Sequence, residues 1–466
     1  MRAIATEGGP PSIGKTGMRN RTGRLRAIAC ALLAVAAGCA LLVLTPGCGS
    51  HPRVPVVTEE QHRLNVESFE QVWQTIRDKH WDPTLGGLDW QAVHDELLPR
   101  EEAARTMPEA RAVMEEMIAR LKQSHFGIIP QEIYEDVGGA SGEAAGEATV
   151  GLRVRVVDGR ALVIALEPGS PAESLGVRPG WEIARVGGED IPARLARVRE
   201  RFAGNTLLPY ILAGSVTARL TGAPGSRVDV RFLGGAGDKV DLDLPRVVPR
   251  GNKVGFGNLP AQYIWIETRR LDGGIGYIAF NMFLDPAHVM DAFDAAMESF
   301  LDAPGVIVDL RGNPGGLGAM AMGMAGWFIP DAGRKLGTME TRAGKLDFAV
   351  LPRPRTYAGR LAVLVDGLSA STSEILAGGL QDLGRARIFG MHSAGAALPS
   401  NVMKLANGDG FQYAFANYVS AGGQVLEGAG ITPDVAVPYT RDVLLTGRDA
   451  ALDAAVAWIR AASPAP

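Results

Sequence analysis

At 466 residues, 46% apolar and 21% charged, the chain has room for two to four domains and the composition of a soluble globular protein. Its 47 basic and 51 acidic side chains are too evenly balanced for a nucleic-acid surface, so no nucleic-acid partner is expected. The three cysteines, Cys30, Cys39 and Cys48, crowd into the N-terminal segment, which leaves the remainder without disulfides, thiol nucleophiles or cysteine metal ligands.

The chain opens with a basic stretch, "RNRTGRLR", then the apolar run "AIACALLAVAAGCALLVL" at 27–44, then "TPGCGSHP". This order predicts an export signal over residues 1–48, with Met18 as a natural start. "TPGC", ending at Cys48, resembles a bacterial lipobox, in which the cysteine thiol is lipidated; Thr45 and Pro46 depart from its usual residues. "AAGC" at Cys39 is a second candidate, and an uncleaved anchor is a third reading, since 18 apolar residues just reach spanning length. The expectation is a lipid anchor at Cys48, on the periplasmic side of a bacterial envelope.

After a short Pro/Val linker at 52–57, residues 58–136 read as a helical region. "SFEQVWQTIRDKHW" and "PEARAVMEEMIARLKQSH" space their apolar residues helically, with the turn-like "DPTLGGLDW" between them. "VGGASGEAAGEA" at 137–148 reads as a hinge. A β-rich block follows over 147–248. "TVGLRVRVV" and "RALVIAL" flank the tight-turn dipeptide "DG", a helix is expected over 193–213, and "RVDVRFL" and "KVDLDLPRV" follow as strands.

Residues 255–462 alternate strands and helices. "GGIGYIAF", "GVIVDL", "RLAVLVDG" and "ARIFG" are short apolar strands. "DPAHVMDAFDAAMESFL", "GGLGAMAMGMAGWFI" and "SEILAGGLQDLG" are helices between them. That alternation predicts an α/β layer with a largely parallel sheet. "KLANGDGFQYAFANYVS" adds a hairpin through "NGDG", and a helix closes the chain at 448–462.

Three serines, Ser369, Ser371 and Ser373, follow the strand "RLAVLVDG". Ser371 with Glu374 fits a capping box, which requires no chemistry at all. The same helix start also offers free N–H groups to a developing oxyanion. "VIVDLRGNPGGLG" at 306–318 ends a strand in a turn whose glycines allow close backbone approach, without the GK[ST] of a phosphate loop. Such a turn, at Gly315 or Gly316, supplies one oxyanion donor and the Thr372 N–H the other. No cluster has metal-ligand spacing, and no cofactor is expected.

Together "VDLRGNPGG" and "GLSASTSEILAGGLQDLGRARIFG" resemble the carboxyl-terminal processing and tricorn-like serine peptidases, family S41. The resemblance implies a multidomain α+β chain: an N-terminal helical region, a PDZ-like β-rich domain and an α/β, crotonase- or ClpP-like catalytic core. It makes the middle serine, Ser371, the nucleophile. Val150, Gly151 and Leu152 match a PDZ carboxylate-binding loop, which implies capture of polypeptide C-termini; a PDZ-like module that binds no peptide is the alternative.

The processing-protease branch uses a lysine base in a "T-F-G-K-G" segment. This chain reads "SAGAA" at 393–397, with Ala396 in the lysine's place. The tricorn-like branch instead implies a histidine preceded by serine and a distant glutamate. "LKQSHF" supplies Ser124 and His125, and "LEGAGITPD" supplies Glu427. Imidazole, with an ordinary pKa of about 6.5, is a competent base at neutral pH once a neighbour fixes its tautomer. His392, close to the vacant lysine position, is the rival base. The expected activity is that of an exported serine endopeptidase working through an acyl-enzyme. The competing expectation is a catalytically silent peptide- or ligand-binding protein on the same fold.

Overall fold

The computed structural model describes residues 55–132, 147–203, 205 and 207–461. The export segment with Cys30, Cys39 and Cys48, and most of the glycine-rich hinge, lie outside the described residues. Among the described residues no helix is long and apolar enough to cross a membrane.

Three helices open the fold: α1 (Glu59–Lys79), α2 (Trp90–Ala103) and α3 (Met107–Ala119). Thr58 caps α1 by accepting the Gln61 N–H, while Glu59 and Glu60 in its first turn and Arg77 and Lys79 in its last suit the helix dipole. A capping box between Thr106 and Glu109 starts α3. The apolar faces meet in a core of Phe69, Val72, Ile76, Leu97, Met114 and Met117. The strand β1 (Gly127–Ile129) leaves this bundle.

A twisted antiparallel sheet follows, formed in spatial order by β2 (Leu152–Val157), β3 (Arg160–Leu166), β4 (Glu182–Val186), β5 (Arg227–Leu233) and β6 (Lys239–Pro245). Its alternate apolar residues, Val154, Val163, Ile183, Val230 and Phe232 among them, bury against two helices. These are α4 (Ile191–Arg201) and α5 (Leu208–Leu220), where a single helix over 193–213 was expected. Pro209 explains the break: its missing N–H and fixed φ are tolerated in a first helical turn and not in an interior. A hairpin, β7 (Asn252–Phe256) with β8 (Leu259–Ile264), then leads to the third layer.

The main sheet runs in spatial order β9 (Ile266–Arg270), β10 (Gly276–Phe280), β11 (Gly305–Asp309), then, past the hairpin β12 (Lys335–Thr341) and β13 (Gly344–Ala349), β14 (Arg360–Val365), β15 (Arg387–Gly390) and a short final strand at 435–436. Every pairing from β10 onward is parallel. Strands β10 and β11 are buried at every residue, as a sheet covered on both faces requires. Val306, Val308, Val363 and Val365 face α6 (Pro286–Ser299), α7 (Gly318–Ala325) and α8 (Thr372–Asp382). Ile307, Ala362 and Leu364 point the other way, toward α9 (Ala450–Arg460) through Ala455 and Ile459.

The helical bundle is docked on this core. β1 pairs with β17 (Gly410–Ala414), whose hairpin partner is β16 (Ser400–Lys404). The turn between them lies on α1: Asn407 N–H donates to Ser68 Oγ and Ala406 N–H to Gln71 Oε1, both at 2.9 Å. Arg111 of α3 grips the buried Asp409 carboxylate with two bonds, 2.9 and 2.7 Å. Leu405, Phe411 and Ile128 complete the bundle's own apolar core. This docking carries the end of the bundle to the edge of the sheet.

Candidate active site

Parallel strands end at a common edge, so the loops leaving β11, β14 and β15 emerge side by side; ligands of open α/β sheets bind at that edge. The register sets Asp309 beside Leu364 and Val365 beside Gly390. The three loops are then cross-linked. Ala370 N–H donates to Asn313 O, Ala394 N–H to Ser369 O, and Ser371 N–H to Ala396 O at 2.7 Å.

The three serines now separate. Ser369 and Ser373 are fully buried, and their hydroxyls donate to the carbonyls of Leu310 and Asn313. Ser371 is half-buried at the start of α8, with φ 54° and ψ −118°, a strained conformation of the kind that lifts a side chain out of a strand-to-helix turn. Glu374 completes the capping box by accepting the Ser371 N–H at 3.0 Å. The cap and the half-buried serine are one piece of geometry.

The glycine turn lies directly against this serine. A Cβ on Gly315, at φ 98°, would come within 2.7 Å of the Ser371 Cβ and 2.8 Å of the Thr372 N. The Gly315 N–H itself donates to Asn313 Oδ1, so it is not a free donor. Phe283 brackets Gly316 through Phe283 N–H to Gly315 O and Leu317 N–H to Phe283 O, which turns the Gly316 N–H the opposite way. Thr372 Oγ1 donates to Gly316 O at 2.7 Å and holds the two backbones together. Gly316 and Thr372 are thus the pair whose N–H groups have no acceptor among the described residues.

On the other side stand Ser124, His125 and Glu427. Ser124 Oγ lies 2.7 Å from His125 Nδ1 and 2.8 Å from Glu427 Oε2, while the Ser124 N–H donates to Glu427 Oε1 at 2.7 Å. With the hydroxyl proton given to the carboxylate, the Ser124 oxygen accepts from Nδ1–H, and Nε2 is left with its lone pair. His125 is 5% exposed, and burial pushes its pKa down to about 4, so the ring is neutral at ordinary pH. Burial also pushes Glu427 up, against the hydrogen bonds from Ser124 and Ala397.

Residues 393–397, "SAGAA", join the two halves. Glu374 accepts from Ser393 Oγ at 2.6 Å, Gly395 N–H at 2.8 Å and Ala396 N–H at 3.0 Å. Burial raises the Glu374 pKa to about 7 against these bonds. One residue on, the Ala397 N–H donates to Glu427 Oε2 at 3.1 Å. Ser371 Oγ and His125 Nε2 make no hydrogen bond to each other; adjacent residues of this one segment bridge them. Ala396 is buried among Leu207, Tyr210, Ile211, Leu368 and Ala370, an apolar environment for the position. His392 is exposed, with Nδ1 toward Ser393 O, and makes no bond to Ser371 or Glu427.

Sequence reading assigned no role to Asn313, Glu374 beyond its cap, or the Arg155–Asp366 pair. Arg155 of β2 reaches the buried Asp366 at 2.8 Å, and Asp366 also accepts the N–H groups of Gly312 and Leu368. One ion pair thereby ties the β-rich sheet to both the glycine turn and the serine turn. Of the carboxylate-loop residues, Val150 is buried with its carbonyl on Ala172 N–H, Gly151 donates to Thr149 Oγ1, and Leu152 opens β2. Among the described residues no group of His, Cys, Asp or Glu could hold a metal ion.

A serine at a strained helix start, beside two free backbone donors and on the edge of a parallel sheet, defines a serine-type hydrolase. Residues 274–437 match the model of peptidase family S41 and residues 65–119 that of the tricorn protease C1 domain, and the chain is a serine-type peptidase. Over 430 residues it is 27% identical to the carboxyl-terminal-processing protease of Synechocystis sp., covering 90% of this chain and 89% of that one. It is 25% identical over 288 residues to the carboxy-terminal processing protease CtpA of Bacillus subtilis, covering 61% of this chain and 55% of the relative. The photosystem II D1 C-terminal processing protease shares the fold at a TM-score of 0.54 and 23% identity, over 85% of this chain and 99% of that one. Mature CPAF does so at 0.58 and 13%, over 86% and 96%. Ser371 and Glu427 fall inside the S41 match; Ser124 and His125 fall between the two matched stretches.

Proposed function

We propose that the chain is an exported serine endopeptidase in which Ser371 is the nucleophile and His125, not a lysine, is the base. The bridge of Ser124 Oγ between His125 Nδ1 and Glu427 Oε2 carries this reading. Ser371 Oγ attacks the scissile carbonyl as its proton passes to His125 Nε2. The oxyanion is received by the Gly316 and Thr372 N–H groups, with Gly315 supplying close approach rather than a donor. His125 then protonates the leaving amine, and water hydrolyses the acyl-enzyme by the same route in reverse. Glu427 and Ser124 hold the Nδ1–H tautomer and stabilise the imidazolium. No step calls on a metal or cofactor.

The β-rich domain, read as PDZ-like, directs the enzyme toward polypeptide C-termini through residues 150–152; the carboxyl-terminal processing activity in the relatives' names is in keeping with this. The signal-like segment and Cys48 support export and lipid anchoring at the envelope. A fluorophosphonate probe tests the chemistry. Labelling at Ser371 that disappears in His125→Ala supports the proposal; labelling that persists in His125→Ala refutes the histidine base. Wild-type protein that resists the probe across the pH range returns the catalytically silent reading. Cleavage that is indifferent to amidation of the substrate C-terminus refutes C-terminal direction.

A further inference from the structure

The Ser124–His125 pair lies on a short connection whose backbone is unusual on both sides. Lys122 has φ 51° and His125 φ 59°, left-handed values that side-chain-bearing residues rarely adopt. A connection of this kind keeps its shape only when its surroundings impose it. Glu427 restrains it from the core side through the Ser124 N–H. The other restraint comes from a second histidine.

His80, at the C-terminal end of α1, is fully buried. Its Nε2 is 2.9 Å from Gln123 Oε1, and its Nδ1 lies 3.0 Å from the Asp82 N and 2.9 Å from the Asp82 O. Its ring stacks on Phe126, with centroids 5.9 Å apart and planes at 15°. Gln123 and Phe126 immediately flank Ser124 and His125, so one imidazole grips the connection on both sides of the pair. His80 is itself fixed. Its N–H donates to Ile76 O, its carbonyl accepts from the Arg342 guanidinium, and its ring also stacks with Trp81, centroids 5.5 Å apart.

We propose that His80 is a positioning residue for the base: by donating Nε2–H to Gln123 Oε1 and stacking on Phe126, it sets the orientation in which His125 presents Nε2 to Ser371. The inference rests on the Ser371–His125 reading above. It requires a proton on His80 Nε2, the ring nitrogen that faces Gln123 Oε1.

The test uses full-length protein and steady-state hydrolysis of a quenched fluorescent peptide. His80→Phe keeps the ring on Phe126 and removes the hydrogen bond. It is expected to lower kcat by about 10- to 100-fold with KM within about twofold, the signature of a displaced base rather than lost binding. His80→Gln places an amide N–H close to the position of Nε2 and is expected to recover most of that loss. A folded His80→Phe with wild-type kcat overturns the proposal, as does a His80→Gln variant no faster than His80→Phe. Should His80→Phe fail to fold, Gln123→Leu removes the same hydrogen bond from the other side, and unchanged kcat there overturns it. His125→Ala in the same assay keeps the two claims apart. If it is active, the histidine-base reading fails; if it is inactive while His80→Phe and Gln123→Leu are unaffected, only the role of His80 fails.

Discussion

Removing the Ser124 hydroxyl probes the relay between Glu427 and His125 without disturbing its framework. In Ser124→Ala the backbone N–H still donates to Glu427 Oε1, so the connection stays docked. What is lost is the acceptor for His125 Nδ1–H, a group on a ring only 5% exposed and so without ready replacement by water. In the proposed mechanism the ring is neutral before reaction and cationic on the way to the transition state, so the missing bond weighs mainly on kcat. A hydrogen bond to a charged group contributes about 1.5–3 kcal/mol. That converts to a fall of about 10- to 150-fold in kcat. Under the proposed mechanism His125→Ala loses general-base catalysis itself and is expected to fall by about 10²- to 10⁴-fold. Steady-state hydrolysis of a quenched fluorescent peptide, with the rate constant for fluorophosphonate labelling of Ser371 as a second readout, measures both. A Ser124→Ala enzyme within twofold of wild type in both readouts, beside an inactive His125→Ala, refutes the relay.

The pH profile carries a second test. Burial holds His125 near 4 against an ordinary 6.5, and a base with a lowered pKa keeps its neutral form as the pH falls. The acid limb of kcat/KM is therefore expected near pH 4, recorded alongside Glu374→Gln to remove that carboxyl's own titration near 7; a limb at 6.5 in both refutes a buried base. The same shift stabilises the fold fully above pH 6.5 and withdraws that stability as the pH falls toward 4, by about 3 kcal/mol, which chemical denaturation of wild type against His125→Ala reads out. Gly315→Ala forces a Cβ within 2.8 Å of Ser371 and Thr372 at a left-handed φ, and is expected to abolish probe labelling while far-ultraviolet circular dichroism stays native-like. Ala396→Lys places an ammonium among Leu207, Ile211 and Leu368; the expected outcome is a lower Tm and no rescue of His125→Ala, and restored activity in the double variant refutes the apolar reading of that position.

The sheet was legible because β10, β11 and β14 are uninterrupted apolar runs between helices, the pattern a doubly covered parallel strand must have. The hairpin Lys335–Ala349 was not, because β13 is largely exposed and its residues carry neither an apolar run nor a turn dipeptide of note. The helix expected over 193–213 ends at Arg201 and a new one starts at Leu208, with Pro209 in its first turn, a restart that periodicity alone did not weigh. In the site, Ser371 was readable locally as a cap, since a capping box spans four residues. Its partners were not: Ser124 meets Glu427 across 303 positions, and only the likeness to a family brought them onto one page. His80 and Asn313 leave no periodic trace, because each acts through contacts that the tertiary fold alone creates.

The alanine at 396 makes sense once its neighbours are considered. Its N–H goes to Glu374 and its carbonyl takes the Ser371 N–H, so the backbone here is a strut between the serine and the glutamate of the cap. Its side chain faces Leu207 and Tyr210 of the β-rich domain, where an ammonium would be desolvated, and the Glu374 carboxylate beside it is already engaged by Ser371, Ser393, Gly395 and Ala396 itself. A base on this segment would stand in the same core as its nucleophile. Under the proposed mechanism the base, His125, instead stands at the end of the helical bundle, which is held to the core by Arg111 on Asp409, by α1 on the 404–409 turn and by β1 on β17. Under the histidine reading those contacts, remote from any reacting atom, become part of what assembles the site. The bundle is then as much a component of the peptidase as the sheet that carries Ser371.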